Sequence, residues 1–186
     1  MRWRQVVMLW LVAAGLGAQH LLVDRRRPIV HPAERPERRR LLAGFSSQAV
    51  VGVRMERGSA LVALRRYGDA WAIEQPPGGQ VPVGLVEAFV EALTAVEEIE
   101  RVPEDPPAKD PLGLGDTALR LYVTDASGRD LALTVGGTNA AGTAVYARVG
   151  DTGPAVLIGR NLEYYASLIL QEVKRSAEPA GDGPVA

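Results

Sequence analysis

Hydrophobic positions follow three rhythms along this chain. Residues 6–23 form an 18-residue apolar run broken only by Gln19 and His20. At ~1.5 Å per residue this run makes a helix about 27 Å long, slightly short of a ~30 Å hydrocarbon core but able to span it. Beyond Leu41, apolar and polar residues alternate over short stretches, and twice the period lengthens to that of an amphipathic helix.

The alternating stretches predict strands. Residues 49–55 and 60–66 are separated by Glu56-Arg57-Gly58-Ser59, and 70–74 follows a Gly68-Asp69 turn. This is the pattern of three antiparallel strands, with Val51, Val53 and Met55 on one face and Arg54 pointing away. Pro76, Pro77, Gly78 and Gly79 stop the sheet. From Val81, Leu85, Phe89 and Leu93 recur every four residues, joined by Val86 and Val90 and opposed by Glu87 and Glu91, which predicts a helix of three to four turns. Residues 96–102 suit a returning strand or an extension of that helix, and Pro103, Pro106, Pro107 and Pro111 make the next stretch a loop.

The second half repeats the plan. Leu119, Leu121 and Val123 alternate with Arg120, Tyr122 and Thr124; Ala126-Ser127-Gly128-Arg129 turns the chain; Leu131, Leu133 and Val135 alternate again. Strands at 145–149 and 155–158 flank Asp151-Thr152-Gly153-Pro154, and a second helix follows Gly159 with Leu162, Tyr165, Ala166, Ile169 and Val173 on one face. The expected fold is α+β: an N-terminal transmembrane helix, then antiparallel strands and two amphipathic helices in two meander-then-helix halves, each helix covering its own meander. The expected organisation is a membrane anchor at 1–24, a basic tether at 25–40, the α+β body at 41–175 and a disordered tail at 176–186.

Charge reinforces this division. Residues 1–40 hold nine arginines against Asp24, Glu34 and Glu37, leaving 12 basic and 19 acidic residues for the rest of the chain. Within the tether Pro28, Pro32 and Pro36 prevent regular structure, and the arginines repel one another. Arg25, Arg26 and Arg27 stand where lipid headgroups hold basic residues at roughly 1 kcal/mol each. Trp3, Val6, Trp10, Gly15, Gly17 and Val23 mark the anchor helix, with Gly15, Gly17 and Ala18 offering a close-packing stripe to another span. An uncleaved anchor is favoured over a signal peptide, because cleavage after Ala18 puts bulky Leu16 where a small residue is preferred. Without interleaved aromatics the basic collar does not read as a nucleic-acid site.

The chain has no cysteine and two histidines, which excludes disulfides, thiol nucleophiles and cysteine-held metals. His20 lies in the anchor and His31 in the tether, so neither joins a serine and an aspartate of the body in a triad. Gly137 to Thr143 has the glycine spacing of a phosphate loop but lacks the lysine and precedes a strand. Glu97, Glu98, Glu100, Glu104, Asp105 and Asp110 read as a hydrated acidic surface. No catalytic residue, metal, cofactor or small-molecule substrate is expected. Tyr122 and Tyr146, on outward strand faces beside Arg120 and Arg148, form a candidate partner-binding patch; burial under a second layer is the competing reading.

Trp71-Ala72-Ile73-Glu74-Gln75-Pro76, the helix, the loop ending in Leu112-Gly113-Leu114, and Val135-Gly136 followed by Tyr146-Ala147-Arg148 together resemble the domain of unknown function family 4340. The likeness covers roughly residues 41–171, with Pro111 where that family has an aromatic and Thr117 where a proline commonly follows. It implies a single-pass bacterial membrane protein with its domain outside the cytoplasm, in some cases associated with ABC-type transport or gliding-motility components, and without established catalytic residues. Seven arginines beyond the span, against Arg2, Arg4 and the amino terminus before it, favour a cytoplasmic body. The resemblance implies a periplasmic one, and that placement in the inner membrane is the expectation adopted. The expected function is a non-catalytic interaction or scaffold subunit of an envelope complex, with membrane lipid and other integral membrane proteins as partners. An accessory subunit of a bioenergetic or transport complex, bound through its transmembrane helix, is the alternative; an envelope hydrolase ranks below both.

Overall fold

A computed structural model of the chain describes residues 39–102 and 110–177, together with Trp3. The expected anchor at 6–23 and the arginines at 25–27 lie outside the described residues. Among the described residues no helix is long and apolar enough to cross a membrane.

The body is α+β. Strands β1 (Val50–Arg57), β2 (Ala60–Tyr67) and β3 (Ala70–Gln75) precede helix α1 (Val83–Thr94). The short β4 (Glu100–Arg101) comes next, then β5 (Leu119–Asp125), β6 (Asp130–Thr138), β7 (Ala144–Val149), β8 (Val156–Gly159) and helix α2 (Asn161–Ala177). All eight strands join one antiparallel sheet in the order β3-β2-β1-β5-β6-β7-β8-β4.

Strand alternation sorts the side chains onto two faces. On one, the cross-strand row Val62, Met55, Leu121, Leu133 and Val149 runs over five neighbouring strands, and Val53, Leu64, Val123, Leu119, Val135, Val156 and Ile158 lie beside it. Val86, Phe89, Val90 and Leu93 of α1 and Leu162, Ala166, Ile169 and Val173 of α2 close over this face. Each such aliphatic or aromatic side chain contributes about 1.5–3 kcal/mol when fully withdrawn from water.

The pairing of β1 with β5 fuses the two meanders, and the helices follow from it. The chain leaves the β3 edge of the sheet, passes through α1 and reaches the opposite edge at β4. Helix α2 starts near the end of α1, where Ala92, Val96, Asn161 and Leu162 line one depression. It finishes near the start of α1, where Gln80 N–H donates to Ser176 Oγ at 3.0 Å. The helices therefore run antiparallel against each other, and α2 packs on β2 of the first meander. The expectation that each helix covers its own meander is corrected accordingly: one continuous apolar face is covered by a pair of helices lying across it.

Local chemistry sets several boundaries away from their expected positions. Helix α1 begins at Val83 rather than Val81, because Pro82 occupies its N-cap. Residues 96–102 are extended: Ile99 N–H donates to Leu157 C=O and Val102 N–H to Ala155 C=O, on either side of the β4–β8 pairing. Arg57 belongs to β1, so the first turn narrows to Gly58-Ser59. A bulge between Val50 and Gly52 turns Val50 into the core and leaves Val51 half-buried, although alternation grouped Val51 with Val53 and Met55. Helix α2 continues through Ser176 and Ala177.

The chain entering the body is bound from its first described residues. Glu98 N–H donates to Arg39 C=O and Leu41 N–H to Val96 C=O, both at 2.9 Å, and Leu42 is 1% exposed. A second attachment uses Asp125 at the end of β5. Its carboxylate accepts from the Ser127 hydroxyl at 2.6 Å, the Ser127 N–H at 2.9 Å, the Arg129 N–H at 3.0 Å and Arg129 Nε at 2.8 Å. Arg129 also donates to Gly44 C=O at 2.8 Å and lies 4.8 Å from the Phe45 ring centroid.

The Ser127 hydroxyl bond leads the effects that hold the Asp125 carboxyl well below the usual carboxylate range, joined by the Arg129 donors and the Ser127 N–H and opposed by burial. Because the folded pKa is lowered, the stability that this carboxylate contributes is complete above the unfolded value of about 3.9 and is lost as pH falls below it toward the folded value. Urea midpoints of wild type and Asp125→Asn between pH 7 and 2.5 check this. The wild-type advantage is expected to be widest above pH ~4 and to shrink below it; a gap independent of pH contradicts the assignment.

Candidate functional site

The face of the sheet turned away from the helices carries the polar half of every alternating strand. Register places Glu56, Arg120, Thr134 and Arg148 in one row across β1, β5, β6 and β7. The adjacent row is Ala63, Arg54, Tyr122 and Ala132, and the next is Arg65, Gly52, Thr124 and Asp130. Three of the four residues expected to meet a partner thus lie in adjoining rows. The fourth, Tyr146, lies on the same face of β7 opposite the irregularity at Gly136-Gly137, where the β6–β7 register shifts. Arg120 and Tyr122 are exposed, Tyr122 by 39%, whereas Tyr146 and Arg148 are half-buried.

The competing reading, a second layer, describes one corner of this face. The turn Leu112-Gly113-Leu114-Gly115 lies against Gly136-Gly137, with Gly137 N–H donating to Leu112 C=O at 2.8 Å. Asp110 fixes the turn by accepting from Leu114 N–H at 2.6 Å and Gly115 N–H at 2.9 Å. A Cβ on Gly136 meets Leu112 O at 2.4 Å, and one on Gly113, where φ is +65°, meets Gly137 N at 2.7 Å, so both positions require glycine. The two glycine-bearing segments singled out in the sequence therefore serve close backbone packing. The Gly137 to Thr143 stretch is the end of β6 and its hairpin turn, closed by Asn139 Oδ1 accepting from the N–H groups of Thr143 and Ala144.

Among the described residues, Tyr122 borders two depressions on the remainder of this face. The larger, about 540 Å³, has a floor of Gly52, Ala63 and Ala132 and is bordered by Arg54, Arg65, Glu74 and Asp130. Its charges are mutually engaged: Arg54 pairs with Glu56, Arg65 lies 4.0 Å from Glu74, and Asp130 accepts from the Thr124 hydroxyl at 2.6 Å. Glu74 also accepts from the Tyr67 hydroxyl at 2.7 Å, and this bond raises the Tyr67 pKa. The smaller depression, about 290 Å³, is lined by Leu114, Arg120, Tyr122, Thr134, Arg148 and Asp151 among others.

Sequence reasoning placed Arg54 away from the core but did not connect it with Tyr122. Its guanidinium carbon lies 5.2 Å from the Tyr122 ring centroid, a contact created by the β1–β5 register. Leu114, Thr134 and Asp151 were missed as well, since they reach the depression from a turn, a strand and a loop far apart in the chain. Of the expected anchor residues, Trp3 is described and is 83% exposed; Val6, Trp10, Gly15, Gly17, Val23 and Arg25, Arg26 and Arg27 fall outside the described residues. Among the described residues no group of three or more His, Asp or Glu side chains is placed to hold a metal ion.

No protein-family model, curated protein or solved structure matches this chain.

The contact between the Leu112 turn and Gly136 is open to measurement. Gly136→Ala forces backbone apart and is expected to lower unfolding stability by about 1–3 kcal/mol. Gly84→Ala, in helix α1 with open space around its Cβ, is expected to raise it by about 0.4–1 kcal/mol. Equilibrium urea denaturation of both variants gives the comparison, and equal effects of one sign contradict it.

Proposed function

We propose that this chain is a non-catalytic, membrane-tethered interaction or scaffold subunit of a bacterial envelope protein complex, of the kind represented by the domain of unknown function family 4340. The observation that carries this reading is the asymmetry of the sheet. Among the described residues two helices seal one face, while the other presents exposed Tyr122 and Arg120 with the Leu112 turn over one corner. An aromatic flanked by arginines, on a rigid sheet, supplies the residue types that dominate protein interfaces.

In this reading residues 1–24 are the single-pass inner-membrane anchor, with Trp3, Val6, Trp10, Gly15, Gly17 and Val23 in the helix. Arg25, Arg26 and Arg27 meet lipid headgroups, residues 25–40 form the tether, and the body lies in the periplasm. Arg120, Tyr122, Tyr146 and Arg148 belong to the partner surface. The Gly15, Gly17 and Ala18 stripe favours the narrower reading of an accessory subunit that also packs its span against an integral membrane partner.

A photoreactive amino acid in place of Tyr122 tests the surface, with the same substitution at Tyr164 on α2, 60% exposed, as reference. Irradiation of intact membranes is expected to give a discrete heavier adduct from position 122 and none from 164; no adduct from 122, or equal adducts from both, contradicts the assignment. In the same cells, alkaline extraction should leave the full chain in the membrane and release a chain lacking residues 1–24. Protease added to intact spheroplasts should degrade the body; degradation only after lysis reverses the sidedness.

A further inference from the structure

Helix α2 and strand β2 leave a groove of about 560 Å³ between them. Ser167, Leu170, Lys174 and Ala177 fall at i, i+3, i+7 and i+10, a single stripe of the helix, and make one wall. Leu61 and Val62 of β2 make the other, bordered by Pro76, which follows the Gln75 paired with Ala63. At the end of the stripe far from Ala177, Arg57 Nη1 donates to Ser167 Oγ at 3.0 Å. The groove is thus apolar along its length and basic at its rim.

Its nearest candidate occupant is covalently attached. The described residues stop at Ala177, so the chain leaves α2 from within the groove wall. Ser167 to Ala177 covers about 15 Å at ~1.5 Å per residue, whereas residues 178–185 reach about 26 Å at ~3.3 Å per residue. The segment is therefore long enough to reverse beyond the helix and return along the stripe, and Gly181 gives the reversal conformational room. Composition matches the lining. Val185 is the one branched aliphatic residue after Ala177 and follows Pro184, while Glu178 and Asp182 are the segment's only charged side chains. The charged side chains of the lining, Arg57 and Lys174, are both basic. Arg57 is shared with Glu163 at 3.5 Å, which leaves Lys174 as the nearer counter-charge. A tether this short holds a segment at an effective concentration of millimolar order, so a few apolar contacts suffice to seat it.

We infer that residues 178–185 fold back into the groove between α2 and β2, with Pro184 and Val185 on Leu61 and Leu170 and Asp182 toward Lys174. The returning segment straps the last three turns of α2 onto the first meander. It covers apolar surface on the helix side of the sheet, away from Tyr122, so the inference and the reading of the opposite face stand or fall separately.

The chain has no cysteine, so an introduced pair supplies its only thiols. The test combines Ser59→Cys, on the exposed rim of the groove, with Gly183→Cys in the full chain in detergent micelles. The reference pairs Gly183→Cys with Glu87→Cys, exposed on α1, whose start lies beside the end of α2 at the Gln80–Ser176 bond and so within reach of the same segment. Under mild oxidation the groove pair should close an intramolecular disulfide about tenfold faster than the reference pair. Adding Val185→Asp should bring it down to the reference rate, and Lys174→Gln should slow it about twofold, as fits an exposed ion pair.

Equal rates for the two pairs, or a groove-pair rate indifferent to Val185→Asp, overturn the inference. Disulfides that form only between chains also overturn it, by assigning the groove to a second copy. So does maleimide labelling of Ser59→Cys alone that is slow in membranes, fast after detergent extraction and unchanged by Val185→Asp, because a membrane component then fills the groove. Circular dichroism checks the folding of each variant, and Gln171→Cys, exposed on the helix wall, replaces Ser59→Cys should the turn not tolerate it.

Discussion

The antiparallel pairing of β1 with β5 is the interaction on which the remaining architecture depends. Each meander alone is a small sheet with an apolar face of three or four strands and an exposed edge. Register of Val53 with Val123 and of Met55 with Leu121 buries both of those edges and makes the apolar rows continuous. The resulting sheet is about 34 Å wide at ~4.8 Å per strand spacing, whereas α1 is about 18 Å long at ~1.5 Å per residue. One helix cannot cover such a face, so two are laid side by side across it. The same pairing assembles the opposite face, because it is what brings Arg54 over Tyr122 and aligns Glu56 with Arg120.

Among the described residues that opposite face is only partly dressed. The glycines at 113 and 136 let a turn lie directly on strand backbone, which fixes one corner and tilts the balance of burial toward Tyr146 and Arg148. Beyond the corner the residues are small on the floor and large at the margins. In the proposed reading of this face as an interaction surface, such relief offers another macromolecule polar groups that sit on rigid strands and are separated by whole strand spacings.

Much of the strand content was legible in the residues, because period-two alternation records which side of a strand meets apolar neighbours. The β5 and β6 alternation is an instance: Leu119, Leu121 and Val123, and then Leu133 and Val135, are buried as expected. Sheet order was not legible, since alternation specifies a face but carries no record of which strand lies alongside. The bulge at Val51 was hidden for a related reason, as the extra residue is defined by its partner strand. Residues 96–102 have too weak a periodicity to choose a state; pairing with Ala155 and Leu157 decides it. Arg120, Tyr122, Tyr146 and Arg148 could be assigned a common face from parity, while their neighbours Thr134, Leu114 and Asp151 became visible only through cross-strand register and loop placement.

The pairing of residues 39–41 with 96–98 carries a mechanical meaning. Tension applied to the body through Arg39 acts first on the two backbone hydrogen bonds of that ladder and on the seated Leu42 side chain, and behind them on the Arg129 bond to Gly44. Such an attachment behaves as a clamp rather than a swivel: it denies free rotation at the entry point and passes torque directly into the sheet edge.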